Sequence, residues 1–184
     1  LSRFKHCRFE HASTIVINLT FQPSGAIAVQ NSVIVDSCYF IDNRYGIQVY
    51  YPSLDVKMEV TNSFFTIDEG IDPNTTDWGR AIHIYTPYEH PNRIWIANNE
   101  FHNRASTFGE LVSVIDNKFT GGGFMIHGNL LPNYAYGNYF YNVQVAISAN
   151  ADEDEAGIYI KNNVVEAEPA FYCEGIKLNN YGYY

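Results

Sequence analysis

Leucine and methionine are scarce in this chain, numbering 7 and 2 in 184 residues. Against them stand 31 Ile and Val, 27 Tyr and Phe and 19 Asn, a balance that suits pleated strands joined by tight turns. A mainly helical fold is excluded. Basic residues are also few, 11 Lys and Arg against 20 Asp and Glu, for a net charge of −9 and a pI near 5.0. Such a chain repels a phosphate backbone, so nucleic acid is not an expected partner. Three cysteines are too few for a disulfide scaffold, and they lack the paired C-x-x-C spacing of a structural zinc site. No apolar run reaches the roughly 18 to 20 residues of a membrane-spanning helix, so no membrane span is expected. Leu1 opens no charged segment leading into an apolar one, and any export signal is expected to have been removed or never present. With 46% apolar and 17% charged residues, disorder is excluded too.

What the chain does have is a repeat. A six-residue unit opens on an apolar residue, carries a small polar residue or Cys fourth, and ends on Phe or Val. Its copies are FKHCRF (4–9), VDSCYF (35–40), VTNSFF (60–65), IANNEF (96–101), VIDNKF (114–119), AYGNYF (135–140) and IKNNVV (160–165). The spacing is ragged, with insertions between units and never inside them. A weaker unit follows most copies and reads Gly, then alternating apolar residues: GAIAV (25–29), GIQV (46–49), RAIHI (80–84), VQVAI (143–147) and GIKL (175–178). Strict alternation means one buried face and one wet face. Strands this short cannot bury a face alone, but successive turns stacked into a coil can. One domain over 1–184 is therefore expected, an all-β parallel solenoid of about seven rungs spaced about 4.8 Å apart.

This pattern resembles the right-handed parallel β-helix of the pectin-lyase-like superfamily, over nearly the whole chain. In that family the six-residue unit is similar to the second strand, a tight bend and the start of the third, and the Gly-led unit is similar to the first strand. The resemblance makes the fourth position the bend, where Asn tolerates a left-handed backbone and hydrogen-bonds to the Asn above and below. Asn99, Asn117, Asn138 and Asn163 would be the steps of this ladder, with Cys7, Cys38 and Ser63 continuing the column. With no amphipathic segment before Phe4 and none after GIKLNNYGYY, the chain is expected to be a section of a longer rod lacking its caps.

The resemblance also implies that an extended sugar chain binds on the outward face of the Gly-led strands. Alternation sends Gln48, His83, Ala146 and Lys177 to that face, with Tyr50, Tyr85 and Ser148 two residues further along, and Met125 and His127 beside them. Aromatic rings next to polar groups suit sugars. Two long loops, 66–80 and 86–93, flank His83 and Tyr85, and long loops on a rigid scaffold gather function. They bring Asp72, Asp77 and Arg80 toward one rung. Paired carboxylates there could serve glycoside hydrolysis, or could hold calcium against a uronate in a lyase. A solvated acidic loop accounts for the same residues. His127-Gly128 and the stretch 74–77 echo polygalacturonase motifs, but the extra Thr, the wrong place in the rung and the missing Asp-Asp pair disfavour that assignment. His83 and His127, about 10 Å apart, are not expected to share a metal.

Cys7 and Cys38 are expected on adjacent rungs as free, buried thiols, and Cys173 as buried. DEDE at 152–155 reads as a solvated acidic turn, and Asn18 and Asn74 begin glycosylation sequons. The expectation is thus an extracellular or cell-surface β-helix engaging polysaccharide or another extended glycan, joined to adjacent domains of the same longer chain. A polysaccharide lyase or glycoside hydrolase using the two loops, and a structural rod of an adhesin or surface fibre, are the alternatives.

Overall fold

The computed structural model describes residues 1–12, 25–29, 32–50, 57–67, 80–85, 93–102, 105–108, 112–128, 132–151 and 157–180. All regular structure among them is strand, in three parallel sheets of seven. The first sheet is β1 (Ser2–Lys5), β4 (Val33–Asp36), β7 (Lys57–Thr61), β10 (Arg93–Ala97), β13 (Val112–Ile115), β16 (Asn133–Tyr136) and β19 (Ile158–Lys161). The second is β2 (Arg8–Glu10), β5 (Tyr39–Ile41), β8 (Phe64–Thr66), β11 (Glu100–His102), β14 (Lys118–Thr120), β17 (Tyr139–Tyr141) and β20 (Val164–Glu166). The third is β3 (Ile27–Val29), β6 (Tyr45–Tyr50), β9 (Arg80–Tyr85), β12 (Ala105–Phe108), β15 (Phe124–Gly128), β18 (Val145–Ala151) and β21 (Glu174–Asn180). Each rung contributes one strand to each sheet, which makes the chain a parallel β-helix of about seven rungs, as the repeat predicts.

The six-residue units stack in register. Phe4, Val35, Val60, Ile96, Val114, Ala135 and Ile160 form one inward column of the first sheet. The sixth positions form another: Phe9, Phe40, Phe65, Phe101, Phe119 and Phe140 stack face to face with centroids 4.5 to 5.0 Å apart. Five of these rings, from Phe40 to Phe140, are essentially inaccessible. Parallel in-register stacking places identical side chains at one strand spacing, which is also the separation at which rings stack, so the repeat of one residue type is its own packing solution.

Between the first and second sheets runs the asparagine ladder. Asn99, Asn117 and Asn138 are buried, and each accepts the backbone N–H of the rung before: Ser63 N to Asn99 Oδ1 at 2.9 Å, Asn99 N to Asn117 at 2.9 Å and Asn117 N to Asn138 at 3.0 Å. Asn163 accepts from Asn138 N at 2.9 Å. Each Nδ2 reaches back to a carbonyl of the preceding first-sheet strand: Val60, Ile96, Val114 and Ala135 for the four in turn. The ladder thus satisfies backbone groups that a bend would otherwise bury without partners. The Ser63 hydroxyl takes over the acceptor role for Cys38 N at 3.1 Å.

The left-handed residue is one position earlier than the family pattern implies. Positive φ falls on His6, Ser37, Asn62, Asn98, Asp116, Gly137 and Asn162, the third position of every unit. The third residue makes the turn with its side chain outward, and the fourth can then point in and bond. Cys7, Cys38 and Cys173 are free; Cys38 is buried, whereas Cys7 and Cys173 are only partly so.

Candidate functional site

At Gly46 and Gly123 the glycine that leads a third-sheet strand is explained by close approach. A Cβ on Gly46 would lie 2.6 Å from the Ala81 carbonyl oxygen and 3.0 Å from the Phe65 ring. The equivalent residues, one before Ile27, Ile82, Phe124, Ile147 and Ile176, are Ala26, Ala81, Gly123, Ala146 and Gly175. The chain rounds a corner there, and this residue and the next both face inward. Ala146, expected outward, is consequently fully buried, and alternation begins one residue later.

The outward residues then form two files along the axis. The first runs Ala28, Gln48, His83, Thr107, Met125, Ser148 and Lys177, and the second contains His127 and Asn150; Tyr50 and Tyr85 hold register positions two residues beyond Gln48 and His83. Ser148 therefore belongs with Gln48, not with the tyrosines. The two tyrosines pair through their backbones on adjacent strands. The face is not the open stripe that alternation suggests. Gln48 is 7% exposed and Asn150 4%, while His83, Thr107, Met125, His127 and Ser148 are half-buried. Alternation fixes which way a residue points and says nothing about what lies over it.

The best-defined polar contacts on this face join β9 and β12. The Arg80 guanidinium donates to Thr107 Oγ1 at 2.6 Å and to His83 Nδ1 at 3.1 Å. Arginine only donates, so His83 Nδ1 accepts and the proton of the neutral ring resides on Nε2. Burial, with the Arg80 and His127 charges adding to it, pushes the imidazole down to about 4, so His83 is neutral at pH 7. Tyr45 packs at a tilt beside it, with ring centroids 5.7 Å apart. His127 sits two strands further on, approached by Asn150 Nδ2 at 3.5 Å. Among the described residues no three His, Cys, Asp or Glu converge to hold a metal.

Arg80, His83, Gln48 and His127 thus share one sheet face, with His83 and Arg80 in contact, and Tyr50 and Tyr85 lie in register on β6 and β9 of the same sheet. Asp72 and Asp77, most of the loops 66–80 and 86–93, the acidic run 152–155, and Asn18 and Asn74 lie outside the described residues. Thr107 was not singled out from the sequence, because β12 has no leading glycine and places a buried Ser106 where its neighbours have Ile or Phe. No helix among the described residues is long and apolar enough to cross a membrane. Comparison with family models, curated proteins and solved structures returned no match.

Proposed function

We propose that this chain is a β-helix similar in kind to the pectin-lyase-like proteins, and that its third sheet engages a polysaccharide or another extended glycan lying along the rod. The observation behind this reading is the file of hydrogen-bonding groups His83, Thr107, Ser148 and Lys177, half-buried or exposed, on parallel strands of one face, with the covered Gln48 at its end. An extended glycan presents hydroxyls at a repeat comparable to the strand spacing, so one rigid face meets several sugars with the same chemistry. The reading places the domain outside the cell or at its surface. A glycan-array screen with the intact chain, followed by titration of His83→Ala and Lys177→Ala, tests it. Each variant is expected to weaken binding several-fold to about tenfold, the scale of one lost hydrogen bond. Absence of binding to every extended glycan would instead assign a structural rod of an adhesin or surface fibre.

A second reading is favoured by His83 itself, because a desolvated, neutral imidazole clamped by arginine is the kind of perturbed group that active sites collect. On that reading the chain is a polysaccharide lyase or glycoside hydrolase, with Asp72 and Asp77, which precede Arg80 in the sequence, supplying carboxylates, and with calcium as a candidate partner of those acids. Release of reducing ends from polygalacturonate, with and without added calcium, is the assay. Alanine at Asp72, Asp77, Arg80 or His83 is expected to lower turnover about a hundredfold or more. Turnover unchanged in all four variants would rule this site out.

A further inference from the structure

The first sheet carries the largest share of the chain's basic residues among the three sheets. Five of the chain's eleven Lys and Arg stand on its seven strands, against two of the twenty Asp and Glu. One of those two, Asp36, is already paired with Lys5 at 3.3 Å. From β10 to β19 the strands carry no carboxylate at all. In a chain of net charge −9 this is a local inversion of sign.

Aromatic rings occupy the same stretch. Trp95, Tyr134 and Tyr159 lie in one outward file, with Ser113 between the first two. Trp95 and Tyr159 remain 47% and 53% exposed, large areas for residues of this kind on a described sheet face. Tyr136 stands edge-on to Tyr134 with centroids 5.6 Å apart. Arg93 begins the strand of Trp95 and Lys161 ends the strand of Tyr159, both exposed, and no described carboxylate pairs with either. Glu59 is the one described carboxylate in this file, next to Trp95, and Lys57 and Arg93 pair in register beside it. Trp, Tyr and Arg on a rigid surface with an excess of basic groups are the composition of a protein-binding hot spot.

The rings also discriminate between occupants. Tyr134 and Tyr159 are stacked on each other, 5.3 Å apart and 17° from parallel. Each therefore covers one face of the other along the rod, which reduces the ring face left for a sugar to lie on. What such a stack offers is ring edge, hydroxyl and a flanking cation, which suits carboxylates and aromatic side chains of a polypeptide.

We infer that the outward face of β10, β13, β16 and β19 docks an acidic, aromatic-bearing surface of another protein. The site is separate from the glycan face proposed above and does not depend on it. The test is a binding titration of the intact chain against a random copolymer of glutamate and tyrosine, with poly-glutamate and polygalacturonate as comparison probes. The copolymer is expected to bind tighter than poly-glutamate, with affinity falling several-fold as salt rises from about 0.05 M to about 0.5 M. Trp95→Ala with Tyr159→Ala, and separately Arg93→Gln with Lys161→Gln, are each expected to weaken it about tenfold or more, while melting curves stay near the parent's. Polygalacturonate binding as tightly as the copolymer, in a manner lost in the aromatic double variant, would give this face to a glycan and overturn the inference. So would copolymer affinity unchanged in both double variants, or no copolymer binding. Self-association abolished by the aromatic double variant would give the face to a second copy and overturn it equally.

Discussion

Asn117→Ala should be among the most damaging single substitutions in the chain, for a reason that can be counted. The Asn117 carboxamide accepts the Asn99 backbone N–H at 2.9 Å and donates to the Ile96 carbonyl at 2.9 Å. Both groups sit in the middle of the rod, where Asn117 is 1% exposed and out of contact with bulk water. Two buried backbone groups left unpaired at about 1–3 kcal/mol each come to roughly 4 kcal/mol. At about 2–4 °C per kcal/mol for a domain of this size, the melting temperature should fall by roughly 8–16 °C. Asn163 makes the matching pair of bonds, to Asn138 N and the Ala135 carbonyl, but on the partly exposed last described rung. Water can substitute there, so Asn163→Ala should cost only about 1 kcal/mol. Asn117→Ser should fall between, because Ser63 shows that a hydroxyl in this column recovers the acceptor but donates to its own strand, Thr61 O at 2.9 Å, and not to the preceding rung. Paired thermal and urea unfolding of the three variants decides it. Equal losses at Asn117 and Asn163, or an Asn117→Ala loss under about 1 kcal/mol, would refute the argument that burial of the ladder sets its contribution.

Stability should also depend on pH through His83. Its folded value of about 4 lies below the ordinary 6.5, so the unfolded chain takes up the proton first as pH falls. The contribution is complete above about pH 6.5, is lost between there and pH 4, and amounts to about 3 kcal/mol at most; His83→Gln should flatten that part of the unfolding profile. Cys38, whose thiol burial pushes above the ordinary 9, should be the slowest of the three cysteines to react with iodoacetamide in the folded protein, as read by peptide mass mapping. Gly46→Ala should destabilise by about 1–3 kcal/mol through its contact with the Ala81 carbonyl, whereas Gly25→Ala, with its nearest neighbour at 3.3 Å, should cost clearly less in the same denaturation assay.

The rungs were legible because the six-residue frame never takes an insertion, so Val35, Val60, Ile96 and Val114 announce their column from spacing alone. The ladder was legible for the same reason. Its turn residue was placed one position late because Asn98-Asn99 and Asn162-Asn163 put the same amide at both positions, and only backbone geometry tells the outward one from the inward one. Ala146 was misplaced because period-two reasoning assumes a straight strand, and the chain bends at that residue. The covering of Gln48 and the Arg80 to Thr107 bond depend on which rungs become neighbours across insertions of unequal length, and β12 lacks both cues that would have marked its rung. The face was readable, its covering was not.

Stacking in register underlies every functional residue named here, and distances between spin labels along one outward file test it most directly. Arg3, Glu59 and Tyr159 share that file, Arg3 six strand steps from Tyr159 and Glu59 four. With Cys7, Cys38 and Cys173 changed to Ser, a residue the ladder column already accepts at Ser63, cysteine pairs 3/159 and 59/159 can be labelled. At about 4.8 Å per step the backbone separations should be about 29 Å and about 19 Å, so the two label distances should differ by about 10 Å, with the 3/159 pair the longer. Equal distances, or a longer 59/159 separation, would contradict the parallel stack and the glycan face built on it.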